Sequence, residues 1–121
     1  MLYSIDTMSY ITKIPHQDKY NGLRRNLWQT DLDRIKAELN SRIDTNEIHT
    51  SSWIPGNDWT GTPYMPIYEA CGQDVNLSGM CFGLILWIVM MERSDVWSFG
   101  RYEKDGVPIQ GITYFKLDKV P

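Results

Sequence analysis

Between Arg42 and Arg93 the chain has no lysine or arginine, although Asp44, Glu47, Asp58, Glu69, Asp74 and Glu92 all fall there. Nucleic acids are held largely by cations that neutralise phosphates. That gap, with 12 Lys+Arg against 15 Asp+Glu and a formal charge of −3, argues against a nucleic-acid binder. If the fold gathers the six carboxylates on one face, that face attracts cations or basic partners. Spread over several faces, they are ordinary solvated charge.

Other absences narrow the chemistry. Cys71 and Cys81 are too few for a disulfide scaffold. With His16 and His49 as the only histidines, a metal centre is poorly supplied; His49, Cys71 and Asp58 form a conceivable set, but no metal is expected. There is no Gly-rich phosphate loop followed by Lys-Ser/Thr, no paired-glycine dinucleotide fingerprint and no His-Glu-x-x-His. No cofactor and no catalytic residue is therefore assigned. Met1–Tyr10 carries Asp6 and no basic residue, unlike a secretory leader, so a cytoplasmic location is expected.

The chain does contain enough apolar material for a core. With 121 residues, 42% hydrophobic and 22% charged, it fits one domain spanning residues 1–121. Leu32, Ile35, Leu39 and Ile43 recur at helical spacing among charged residues, which predicts an amphipathic helix over Asp31–Ile43. Thr30 and Asp33 resemble a capping box at its start, with Trp28 as a staple on the first turn. Residues Val75–Met91 hold no charge. The run reaches the lower length limit of a membrane span, but it lacks upstream basic flanks, so a buried central helix over Val75–Glu92 is predicted, with no membrane contact. Its Gly79 and Gly83 lie on one face, where another helix could pack closely.

The C-terminal third reads as a β-hairpin, Val96–Glu103 and Val107–Phe115, around Asp105-Gly106, the favoured type I′ pair. A two-residue loop sets Lys104 opposite Val107. Continued outward, that register pairs Trp97 with Tyr114, Phe99 with Ile112, Arg101 with Gln110 and Gly100 with Gly111. The Trp97 face is assigned to the core, and the paired glycines leave a notch on the other. A two-stranded hairpin is marginal alone, so a third strand or a helix must cover it. The first thirty residues have no clean period; they read as a short strand before Pro15 and a helical turn around Asp18–Asn26. The class is α+β: an amphipathic helix and a buried helix packed on a small antiparallel sheet with a C-terminal hairpin.

Asp44–Tyr64 is punctuated by Pro and Gly and reads as a loop, followed by a helical turn over Pro66–Ala70. A polar loop needs no Trp53, Ile54 or Trp59, so the excursion is ordered by its aromatics. Trp53, Trp59, Tyr64 and Tyr68, together with Asp58 and Glu69, are the aromatic and polar groups from which binding sites are built. Arg101 completes the candidate set, at the rim with Asp58. The same aromatics can instead tether the loop to the core. Two functions follow as expectations. The first is a small binding or interaction module, self-associating as a homodimer, with a small ligand or a basic protein as further partners. The alternative is a small enzyme using Asp58 or Glu69 as acid/base beside the loop, which requires a carboxyl raised in pKa.

Overall fold

The stripe of Leu32, Ile35, Leu39 and Ile43 forms one buried face of a helix in the computed structural model, which describes residues 1–51, 58–109 and 111–120. Four such side chains contribute about 1.5–3 kcal/mol each relative to exposure, so the stripe alone anchors the helix. Two short strands, β1 (Tyr3–Ser4) and β2 (Ser9–Tyr10), precede α1 (Gln17–Asn26), α2 (Gln29–Ile43) and β3 (Ile48–Thr50). Then come α3 (Met65–Ala70), α4 (Val75–Glu92), β4 (Trp97–Gly100), β5 (Glu103–Lys104), β6 (Val107–Pro108) and β7 (Thr113–Lys116). The fold is α+β, with a C-terminal hairpin.

Helix α4 has the span expected of it and is the hub, packed against α1, α2 and α3. Asp74 caps it, its carboxylate accepting from the Leu77 N–H at 2.9 Å. Leu84, Ile85, Leu86, Trp87, Val89 and Met90 are all buried, as a helix apolar on every side requires. By length and composition α4 could also cross a membrane, but half of it is buried inside the protein. Gly79 and Gly83 do not serve internal packing: a methyl group added at either would meet nothing within 4 Å.

The start of α2 differs from expectation. The helix begins two residues earlier, with Trp28 as the cap residue and no side-chain capping bond. The Leu32 N–H already bonds to the Trp28 carbonyl at 3.0 Å, so Thr30 lies inside the first turn and cannot cap it. The staple shifts as well. Leu27 occupies the position before the cap and Leu32 the fourth helical position, and both are buried. Trp28 is left outside.

The three-stranded sheet runs β3-β7-β4, all antiparallel. The third strand that the hairpin needed comes from Ile48–Thr50, inside the segment read as loop; Leu2 also bridges Trp97 in parallel on the far side of β4. At the turn, Asp105 and Gly106 have φ of 54° and 79°, the pair of positive values that type I′ demands. Lys104 faces Val107 as expected. Further out the register is corrected: Trp97 pairs with Lys116, Phe99 with Tyr114 and Gly100 with Thr113. Extra residues bulge out near Gly111, whose φ is 86°. The slip is by two residues, so it changes partners and keeps faces. Trp97 and Tyr114 are buried, and Phe99 meets Trp87 at a centroid distance of 4.8 Å. The glycine notch is not paired, since Gly111 is not opposite Gly100. The Tyr102 ring covers Gly100, lying 3.0 Å from where a Cβ would stand. The expected Arg101–Gln110 pairing involves Gln110, which lies outside the described residues.

Candidate functional site

Of the aromatics singled out by sequence, Trp59 and Tyr64 pack inward. Tyr64, the residue before α3, is 1% exposed. Its ring meets Phe82 of α4 edge-on at 5.3 Å, and Trp59 lies 5.8 Å from Phe82 and 6.3 Å from Tyr64. Edge-to-face clusters of this kind add about 0.5–1.5 kcal/mol per pair beyond burial. Thr62 ties the turn, its hydroxyl donating to the Trp59 carbonyl at 2.7 Å. The Tyr64 hydroxyl is buried with no hydrogen-bond partner among the described residues, and burial, with Glu38 adding to it, pushes the phenol pKa up. Tyr64 is therefore part of the core and Trp59 its half-buried lid. Trp53 lies outside the described residues.

The polar members of the expected set are not gathered around those rings. Asp58 is exposed and accepts from the Thr60 N–H at 3.0 Å. That bond holds its carboxyl below the usual range, the opposite direction from a poised acid. Arg101, past the end of β4, is exposed and joins no ion pair among the described residues. His49, Cys71 and Asp58 are not brought together as a metal set; among the described residues no group of three such ligands forms. The His49 ring lies 5.7 Å from that of Trp97 and contacts the Ile43 and Asn46 carbonyls at 3.0 Å. The acidic stretch is also divided. Asp44 pairs with Arg93 at 2.6 Å and Glu92 with Lys36 at 2.9 Å.

Arg93 is the main electrostatic clasp. It grips both oxygens of Asp95 at 2.9 Å, and the Asn40 side chain at the same distance, joining the ends of α2 and α4 to the start of β4. The guanidinium holds the Asp95 carboxyl below its ordinary range, while Asp95 and Asp44 hold Arg93 charged.

The surface open to a partner lies where α1 passes into α2 over the short helix α3. It is a wide depression of about 870 Å3. Leu27, Trp28 and Asp31 of the α1–α2 junction line it, together with Met65, Pro66, Glu69 and Ala70 of α3, and with Cys71 and Leu77. Local sequence builds this shape. The chain turns between the helices through extended backbone at Leu27 and Trp28, which buries Leu27 and turns Trp28 out. Pro66, in the first turn of α3, supplies an apolar surface where no N–H is needed. Trp28 is 78% exposed. Of the expected set, among the described residues, only Glu69 lines this depression; Tyr68, its neighbour on α3, is half-buried and does not.

Cys71 and Cys81 are both free and buried. Burial, with the Cys71 thiol adding to it, pushes the Cys81 thiol up to about 12. Cys81 is therefore a protonated core residue, inert as a nucleophile.

Sequence reasoning missed Trp28 because it was spent as a staple. The signal was present: with the cap moved to Trp28, Leu27 and Leu32 satisfy the staple spacing and leave the indole without a place inside. Compared with protein-family models, curated proteins and solved structures, the chain matches none.

Proposed function

We propose that the protein is a non-enzymatic interaction module that binds a peptide segment of another chain in the depression beside Trp28. One observation carries the reading: a tryptophan 78% exposed on the wall of an apolar-lined depression. Trp is the residue most enriched among binding hot spots, and leaving one in water forgoes about 1.5–3 kcal/mol of burial or more. Met65, Pro66, Ala70 and Leu77 offer the apolar surface that such an anchor closes against. The enzymatic alternative is disfavoured at Asp58 by its lowered pKa and full exposure. The two free thiols suit a reducing, cytoplasmic setting.

The reading is tested on a peptide array of mixed composition, probed with the wild-type protein and with Trp28→Ala. Retention of a subset by the wild type, lost in the variant with its thermal midpoint unchanged, supports it. Equal retention by both overturns it. Light scattering over a concentration series separates a second copy from a foreign chain: a mass that doubles in the wild type and not in Trp28→Ala makes the partner another copy.

A further inference from the structure

We propose that the Trp28 depression selects a positively charged side chain, arginine or lysine, carried on an apolar peptide segment. This rests on the binding role given to the depression above and adds the chemistry of what enters it.

The sign of the local charge is the first argument. Asp31 and Glu69 both line the depression, and among the described residues no lysine, arginine or histidine does. Neither carboxylate joins an ion pair among the described residues. Glu69 accepts only a long bond of 3.4 Å from Gln73. Glu38, Asp44, Glu92 and Asp95, by contrast, are each paired with a cation. Two carboxylates without ion-pair partners in one depression create a site that favours positive charge.

Helix termini do not reverse that sign. The start of α2 contributes about half a positive charge, but the end of α1, with only Leu27 and Trp28 between, meets it with about half a negative charge. The two partial charges oppose each other, and the two full carboxylates decide. Arg24, on the last turn of α1, is held by the Leu27 carbonyl at 3.2 Å and the Gln29 side chain at 2.6 Å and does not line the depression.

The remaining lining explains why the charge needs an apolar stem. A cation over the exposed Trp28 face gains about 0.5–1 kcal/mol from the ring quadrupole. The methylenes of Arg or Lys, with apolar neighbours, cover Met65, Pro66 and Leu77 while the charged head stays between the acids. An acidic segment meets repulsion from both carboxylates, and a purely apolar one leaves them partly desolvated without a partner.

The probes are three blocked tripeptides, acetyl-Leu-Arg-Leu-amide and its counterparts with norleucine or glutamate at the centre. Binding is read from the Trp28 indole N–H resonance, assigned by its loss in Trp28→Ala. The arginine peptide is expected to shift that signal saturably, about five- to tenfold more tightly than the norleucine peptide, with the glutamate peptide weaker still. Asp31→Asn with Glu69→Gln should remove that preference while leaving the norleucine peptide unchanged. Raising salt from about 0.05 to about 0.5 M should weaken the arginine peptide selectively. If norleucine binds as tightly as arginine through Trp28, the charge selection is overturned and the binding role survives. If the Asp31/Glu69 variant keeps the preference, the charge selection is likewise overturned. If none of the three peptides moves the Trp28 signal at millimolar concentration and the array shows no Trp28-dependent retention, both fail.

Discussion

Two tryptophans of this chain, Trp28 and Trp59, meet opposite fates. Trp59 stands in a segment crowded with aromatics, and the protein folds it down onto Tyr64 and Phe82. Trp28 stands alone between two helices, and the protein leaves it in water. Aromatic density in a sequence therefore marks packing here, because neighbouring rings find each other and Phe82 of α4 before they find a ligand. An isolated aromatic at a tight helix–helix junction has no such company. Leu27 takes the inward position, and the adjoining indole is forced out.

The largest test of this contrast is Tyr64→Ala. Emptying a fully buried ring site should cost about 3–5 kcal/mol in urea unfolding, and a small loss would mean the cluster is not core. Next comes Arg93→Ala, which strips Asp95, Asn40 and Asp44 of their common donor and should cost roughly 2–3 kcal/mol. It also alters the acid limb. Asp95 is depressed in the folded state, so its contribution is complete above about pH 4, the unfolded carboxylate value, and fades as pH falls through the lowered folded value. In Arg93→Ala the stability of the protein should depend less steeply on pH below about 4. An unchanged acid limb would contradict the clasp.

Smaller effects probe the same contrast at its edges. Gly79→Ala should raise stability by about 0.5–1 kcal/mol, because alanine favours the helix and its methyl meets nothing within 4 Å. A loss would show that a neighbour does approach α4 there. Tyr64→Phe should be neutral or stabilising by up to about 1 kcal/mol, since it removes a buried hydroxyl that has no partner while keeping the ring. Clear destabilisation would assign that hydroxyl a bond.

Much of this fold was legible in particular residues. Val75–Glu92 was readable because an uncharged run after a capping Asp74 has only one compact solution. Asp105-Gly106 fixed the turn because few other pairs tolerate two positive φ values. The outer register was not readable: nothing in the sequence says that Gly111 will take φ of 86° and let the strand bulge. Ile48–Thr50 was hidden because three residues are too short to show alternation, and it is pairing with β7 that makes them a strand. The residues of the expected site are dispersed in the fold. Glu69 lines the depression, Tyr64 is buried beneath the aromatic lid, and Asp58 and Arg101 stand exposed and apart from it. Trp28 required knowing where α2 starts to within two residues, the kind of boundary that capping patterns set only loosely.

The central claim is that Trp28 is surface chemistry and Trp59 is architecture, and equilibrium urea unfolding of Trp28→Ala beside Trp59→Ala tests it most directly. Trp28→Ala should fall within about 0.5 kcal/mol of the wild type, as exposed substitutions do. Trp59→Ala should lose about 2–4 kcal/mol from the half-buried ring and its two partners. Equal losses, or a larger loss at Trp28, would contradict the account.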